Sequence, residues 1–309
     1  MAVVRGVRLE RPLPCATQSV DSDGKRCMPA ACNSSIRPIG LYSTGKLICL
    51  RTFRACWRNW NKTVSELEFI YPDWPVPSHV RAVASTRVGG ISRGAYAGLN
   101  LAAHVGDRPE DVAENRKILM QALQLPSEPD WLDQQHGAGV REARTMPETA
   151  PADASYTTSA GPVCVVQTAD CLPVLLCSRK GDWVAAAHVG WKGVAANVLE
   201  ATVRAYPGLP ADLLAWLGPV ISAEFYEVDE PVREALGERL SSVALRPSSR
   251  AEHWLLDLAS AAAWQLGQAG VVDCFGGSWC TFRDERFFYS HRRDRTTGRM
   301  ATLIWLEER

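Results

Sequence analysis

Apolar residues along this chain cluster into short runs of strand length, and three of them sit close together. Val163–Thr168, 173–177 and 183–188 are each nearly unbroken. The last two flank the polar loop Ser178-Arg179-Lys180-Gly181-Asp182, which holds one glycine. Two such runs joined by a short glycine-containing loop predict an antiparallel hairpin. A turn centred on Lys180-Gly181 pairs Pro173 with His188, so Cys171 belongs at the same end of the sheet as His188.

The same patterning continues on both sides. Apolar runs predict strands over 67–71, 80–86, 131–132, 140–144, 213–217, 254–256, 271–275, 287–289 and 302–306. Helical spacing over 109–125 places Val112, Leu119, Met120 and Leu123 on one face, with Pro109, Glu110 and Asp111 suited to the first turn. Further helices are expected over 190–206, 231–240 and 257–270, the last capped by Asp257 and ended by Gly270. Strands and helices interleave without a strict βαβ rhythm. The expectation is one α/β (α+β) domain around mixed sheets, spanning 64–309.

Composition changes the picture mainly at the N-terminus. The 309 residues carry 34 basic and 34 acidic side chains, a balance that predicts no nucleic-acid or membrane partner. Residues 1–63, however, hold eleven basic against three acidic residues, five of the ten cysteines and none of the six histidines. No sustained period of 2 or 3.6 runs through them. They read as a basic, disordered extension or as a mis-assigned start, with Val64 a candidate for the true first codon. No apolar stretch has the length of a membrane span or of a signal-peptide core, and the expected location is cytoplasmic. Neither G-x-G-x-x-G after a strand nor G-x-x-x-x-G-K-[ST] occurs, which removes dinucleotide and P-loop chemistry.

Candidate chemistry returns to the hairpin end. Cys171 and His188 meet there, and His136 lies in the only comparable Gly-flanked polar loop, Gln134-Gln135-His136-Gly137. Three readings are open for these residues. They are a buried thiol with two structural histidines, a thiolate nucleophile with His188 as base and Asp170 or Asp153 orienting it, or a His/Cys/His metal site with a vacant fourth position. Arg87 beside Gly89-Gly90, and Arg292-Arg293 before Asp294, are candidate anchors for phosphate or carboxylate. The turn Gly190–Gly193 opens a helix and adds Lys192 as a point charge.

Taken in order, the motifs resemble one family. They are Ser85-Thr86-Arg87-Val88-Gly89-Gly90, Leu99-Asn100-Leu101, His104-Val105-Gly106-Asp107, Glu114-Asn115-Arg116, Gln135-His136-Gly137, Ala169-Asp170-Cys171, His188-Val189-Gly190-Trp191, Trp216-Leu217-Gly218-Pro219, Cys280-Thr281 and Gly298-Arg299-Met300-Ala301. The chain from about 67 to 306 resembles the laccase-domain purine nucleoside phosphorylases, also called the polyphenol oxidase or peptidoglycan editing factor family. That resemblance implies a single layered domain with central mixed β-sheets flanked by helices. It implies metal ligation by His136, Cys171 and His188, which would also be the catalytic set, with Zn2+ as the metal and copper possible in the same site. It further implies phosphorolysis of adenosine, inosine, guanosine and methylthioadenosine, deamination of adenosine, and phosphate neutralisation by Arg87 and Arg293. The partners would be purine nucleosides and phosphate, in a monomer or small homo-oligomer.

This chain departs from the family pattern at His291, where tyrosine is usual, at Lys192, where arginine is frequent, and at Asn197, where a small residue is expected. Other functions stay in view: a peptidoglycan-precursor editing amidase, a copper-dependent polyphenol oxidase, or a non-enzymatic metal store. Against a multicopper oxidase stands the absence of any H-x-H pair among the six histidines.

Overall fold

The computed structural model describes residues 67–146, 150–237, 240 and 243–309. Expectations for 1–63, including the Val64 start, lie outside the described residues, as do 238–239 of the helix expected over 231–240. In chain order the elements begin with β1 (Phe69–Ile70), β2 (Val80–Ser85), α1 (Pro109–Leu123), β3 (Val140–Glu142), β4 (Ala154–Thr157), β5 (Val163–Thr168), β6 (Leu172–Ser178) and β7 (Val184–Val189). They continue with α2 (Trp191–Ala195), α3 (Val198–Arg204), β8 (Leu213–Leu217), β9 (Glu227–Asp229), α4 (Glu230–Leu236), β10 (Leu245–Pro247), β11 (His253–Leu256), α5 (Leu258–Gln268), β12 (Asp273–Gly276), α6 (His291–Asp294) and β13 (Met300–Leu306).

Two large sheets organise these strands. One has the order β1-β2-β13-β5 and the other β12-β8-β6-β7-β4-β3, with a small third sheet β10-β11-β9. Parallel pairs (β12 with β8, β3 with β4) sit among antiparallel ones, so the larger sheet is mixed. Successive side chains on a strand point to opposite faces, and here both faces are dry. Val163 and Val165 of β5 join a core with Ile118 and Leu119 of α1, while Cys164 and Val166 join one with Leu175, Cys177, Val184 and Ala186. From β6, β7 and β8, Val174, Leu176, Ala185, Ala187, Leu213 and Ala215 face the other way, against α3 and α5. The layers are therefore helix, sheet, sheet, helix. Burial on both faces explains why the strands read as apolar runs instead of alternating.

Several expectations are corrected. The helix expected over 190–206 is two helices, because Asn197 adopts a left-handed conformation (φ 60°) between α2 and α3. Asparagine tolerates that region, and its Oδ1 accepts a hydrogen bond from Gln265 Nε2 at 3.2 Å. Residues 287–289 are not a strand. Phe287 and Phe288 donate their N–H groups to the Asp284 carbonyl, and Phe288 and Tyr289 bury in a cluster with Ala169 and Met300. Residues 131–132 contribute only isolated bridges at their flanks, Asp130 to Cys164 and Asp133 to Pro151. The short strands β4, β9 and β10 have too few apolar residues to stand out in the sequence. By contrast Asp257 caps α5 by accepting from Ser260 N at 3.0 Å, as its position predicts.

Candidate metal centre

The β6–β7 hairpin closes in the register its turn predicts, with Pro173 opposite His188 and Leu172 opposite Val189. Cys171 immediately precedes β6 and so arrives beside His188. On the other side of β7, β4 pairs Ala154 with Ala187. That register sets Asp153 next to His188, and the two residues are linked twice. The backbone N–H of His188 donates to the Asp153 carbonyl at 2.7 Å, and its ring Nδ1 donates to Asp153 Oδ1 at 2.9 Å. With Nδ1 engaged, the Nε2 lone pair is the one presented to the site.

Asp153 also fixes the loop that carries His136. Its carboxylate accepts the backbone N–H groups of Gln135 (3.2 Å), His136 (2.8 Å) and Gly137 (2.6 Å). Three convergent donors hold His136 in a left-handed conformation (φ 59°). One buried carboxylate thus positions a ring on a strand and a ring on a loop 35 residues upstream of Cys171.

The ligand atoms of His136, Cys171 and His188 all lie within 4.8 Å of one another. His136 Nε2 is 3.9 Å from Cys171 Sγ, and the two imidazoles meet edge to face with centroids 4.6 Å apart. His188 is buried, Cys171 half-buried and His136 exposed, so the cluster opens to one side. Gly190 leaves the room it needs: a Cβ there would stand 2.9 Å from Cys171 Sγ and 3.2 Å from His136 Cδ2. Asp170 holds the Cys171 turn in place from a left-handed conformation (φ 96°), accepting from Thr281 Oγ1 at 2.7 Å and from Arg292 N at 2.6 Å.

Burial alone would raise the Cys171 thiol, but the His188 charge and hydrogen bonds from both histidines bring it down to about 6. Burial opposes protonation of His188, and the neighbouring Cys171 and Asp153 overcome it, so the ring is shifted upward. Asp153, which burial would raise, is held below the usual carboxylate range by His188 and by the N–H groups of Gly137 and His136. The donor set is a thiolate and two imidazoles, which suits a borderline-soft divalent metal. It is the one His/Cys/Asp/Glu cluster of this kind among the described residues.

The arginines are placed differently. Arg293 donates from Nε and Nη2 to Asp294, from Nη1 to the carbonyls of Thr281 and Phe282, and from Nη2 to that of Phe288. All five of its N–H groups are engaged within the protein, which leaves none for an anion. Arg87 lies over the Tyr289 ring at 4.7 Å and donates from Nη2 to Ala97 O at 3.2 Å, keeping donors in reserve. Lys192 is exposed, 5.6 Å from the Trp191 ring. Sequence reasoning missed two side chains coupled to the His/Cys/His cluster: Arg299, to Cys171, and His104, to His136, its imidazole held below the ordinary range first by burial and then by Arg299 and Arg116. Both lie in ordered motifs, His104-Val105-Gly106-Asp107 and Gly298-Arg299-Met300-Ala301, and that was the only signal available.

Residues 81–307 match the sequence family described as multi-copper polyphenol oxidoreductase laccase. Two proteins named purine nucleoside phosphorylase YfiH, from Shigella flexneri and Escherichia coli, are each 47% identical to the chain over 240 residues, which is 77% of this chain and 99% of theirs. A Streptomyces coelicolor protein, also named as a purine nucleoside phosphorylase, is 37% identical over 235 residues, 72% of this chain and 93% of its own. Among solved structures, a Neisseria meningitidis protein superposes with a TM-score of 0.74 at 43% identity, covering 78% of this chain and 99% of that one. The crystal structure of YlmD from Geobacillus stearothermophilus gives a TM-score of 0.71 at 31% identity, covering 75% and 93%.

Proposed function

This chain belongs to the family described as multi-copper polyphenol oxidoreductase laccase, and from that premise we propose that it is a zinc-dependent purine nucleoside phosphorylase. The observation that carries this reading is the gathering of His136, Cys171 and His188 within 4.8 Å, on a chain 47% identical to proteins named for that activity. A zinc ion held by these three donors would supply Lewis acidity and positive charge at its open position.

In phosphorolysis the glycosidic bond between the ribose C1′ and the purine nitrogen breaks while a phosphate oxygen bonds to C1′. The base leaves with the electron pair and takes up a proton. The chain's part is to bind and orient. Asp153 sets the His188 tautomer and the His136 loop, Gly190 keeps the cluster open, and Arg87 is the arginine of the expected pair with donors left for an anion. Arg293 is assigned instead to hold residues 281–288. Adenosine, inosine, guanosine and methylthioadenosine are the proposed substrates, with deamination of adenosine as a side reaction in which water replaces the 6-amino group. Copper is a competitor for the same donors, because it binds most N/S sites more tightly. A single three-donor cluster among the described residues favours Lewis-acid chemistry over oxidation by several coppers.

Metal-defined protein is incubated with adenosine, with and without phosphate, and the products are resolved by chromatography. Phosphate-dependent adenine and ribose 1-phosphate are expected, with inosine marking the deaminase reaction. Activity confined to a muropeptide, or to phenol oxidation with copper, would overturn the reading. Cys171→Ala is expected to lower bound metal to background and turnover at least about 10³-fold. Turnover that survives in the metal-free variant would sink the metal mechanism.

A further inference from the structure

Two guanidinium groups near the metal cluster have no carboxylate partner, and both are tied to the same piece of backbone. Arg116, on α1, donates from Nε to the Leu101 carbonyl at 3.0 Å and lies over the Trp131 ring at 4.0 Å. Arg299 is fastened to this segment from the opposite side. Its N–H donates to Asn100 Oδ1 at 2.9 Å, and its carbonyl accepts the Leu101 N–H at 3.3 Å. The Arg299 side chain donates from Nη1 to the carbonyls of Thr297 and Gly298, leaving Nε and Nη2 without an acceptor. Both Nη groups of Arg116 are likewise without one. His104 lies at the end of the same segment.

Strand register places the arginines beside the cluster. Met300 pairs with Thr168, which brings Arg299 level with Ala169, two residues before Cys171. Gln167 Nε2 donates to the same Leu101 carbonyl that Arg116 holds. Burial and the charges of Arg299 and Arg116 hold the His104 imidazole below its ordinary range, so it serves as a neutral hydrogen-bonding group between them and His136, while Arg299 interacts with Cys171. The neighbouring negative charges are Glu128 beside Arg116, Asp133 beside His104, and Asp170 beside Arg299. None forms an ion pair with either guanidinium among the described residues, and Asp170 is already committed to Thr281 and Arg292. Half-burying a guanidinium without a counter-ion costs free energy, and burial pulls Arg116 down to about 10. Such a cost is recovered when an anion binds, and guanidinium forks match phosphate oxygens in pairs.

We propose that Arg116, Arg299 and His104 form the phosphate subsite on the His136 side of the metal cluster. The proposal rests on the phosphorylase reading for its choice of inorganic phosphate as the anion. It moves the role away from Arg293, whose five N–H groups are engaged, and adds two arginines and a histidine to Arg87. These are binding residues that position the attacking oxygen and do not themselves exchange protons with the nucleoside.

Orthophosphate binding is measured by calorimetry on the full-length metal-loaded protein without nucleoside. In parallel, KM for phosphate and for inosine is measured for Arg299→Gln, Arg299→Lys and Arg116→Gln, each checked for metal content and melting temperature. Arg299→Gln is expected to raise KM for phosphate at least about tenfold and KM for inosine less than about twofold, with Arg299→Lys recovering part of the loss. Arg116→Gln follows the same pattern, and calorimetric phosphate binding weakens in step. An unchanged phosphate KM in folded, metal-replete Arg299→Gln and Arg116→Gln overturns the subsite and leaves phosphorolysis standing. Absence of orthophosphate binding to the parent protein also overturns it. Phosphate binding that the variants lose, in a protein that cleaves no nucleoside, upholds the subsite and sinks the phosphorylase reading instead. Adenosine 5′-monophosphate serves as the control arm. Tighter binding than orthophosphate, with the same loss in the variants, would overturn inorganic phosphate as the ligand.

Discussion

The β6–β7 hairpin has a cysteine near each end, and the two are opposite in chemistry. Cys177, at the turn end, is fully buried in the core between the two large sheets. Burial, reinforced by the charge of Asp182, pushes its thiol up to about 12. Cys171, at the open end, is brought down to about 6 by the histidines around it. At the turn Ser178 Oγ donates to Asp182 and accepts from the N–H groups of Asp182 and Trp183. At the open end the ring and sulfur atoms face one another across a gap. The difference does not lie in the residue type or the strand. It lies in whether cationic or hydrogen-bonding partners offset the desolvation of a thiolate.

Alkylation gives the largest effect by which this contrast can be broken. At pH 7 a thiol with its pKa at about 6 is mostly thiolate, whereas one at about 12 is thiolate to roughly one part in 10⁵. Metal-stripped native protein treated briefly with iodoacetamide is therefore expected to carry the label on Cys171, with Cys177 and Cys164 unlabelled by peptide mass spectrometry. The sign follows from the depressed value: labelling of Cys171 falls as pH drops through about 6 and is flat above 7. Zinc added beforehand suppresses it. Equal labelling of Cys171 and Cys177 in folded protein would erase the distinction.

Asp153→Asn tests what holds the open end together. The substitution removes the charge that orients His188 and puts an amide among the N–H groups of Gln135, His136 and Gly137. Loss of a carboxylate behind a ligating histidine lowers metal affinity by about 10–100-fold, measured by competition with a chromogenic chelator. An affinity unchanged from the parent would mean that the ring and loop are set by packing alone. Gly190→Ala acts on the same cluster more gently. A methyl 2.9 Å from Cys171 Sγ forces the sulfur or the His136 loop to shift, and an affinity loss of about tenfold or less is expected in the same assay.

How much of this was legible in the sequence depends on the range of the interaction involved. The hairpin was readable because its two strands and its turn are contiguous, and the register followed from the position of Gly181. Helix α1 was readable from Pro109, Glu110 and Asp111 and from the spacing of Val112 and Leu119. The break at Asn197 was not, because it depends on Gln265 arriving from α5 to satisfy Asn197 Oδ1 and the Val194 carbonyl. Residues 287–289 look like a strand, but their backbone groups are taken by Asp284, Arg87 and Arg293. The cluster divides along the same line. Cys171 and His188 met by register, and Asp153 was visible only as one of two aspartates able to orient a histidine. Its hold on the His136 loop, and the engagement of every N–H of Arg293, are tertiary facts that no local pattern encodes.

Gly181→Ala, at the turn end, brings the comparison to its smallest expected effect. Gly181 has φ 65°, its N–H donates to the Ser178 carbonyl, and its own carbonyl accepts from His79 Nε2 at 2.8 Å. An alanine Cβ would fall 2.7 Å from that same Nε2. The left-handed backbone costs a non-glycine residue about 1–2 kcal/mol, and moving His79 aside gives up its hydrogen bond to the Gly181 carbonyl, about 1 kcal/mol more. The variant is expected to lose stability by about that sum in chemical denaturation, with its affinity for added metal in the chelator competition unchanged from the parent. Strands β6 and β7 pair from Leu172–Val189 to Cys177–Val184, and both faces of that ladder are packed. Strain at the turn therefore has a rigid, dry sheet between it and the ligands. If Gly181→Ala weakened metal binding as much as Gly190→Ala does, the two ends would be mechanically coupled. The open end would then owe its geometry to the turn as well as to Asp153.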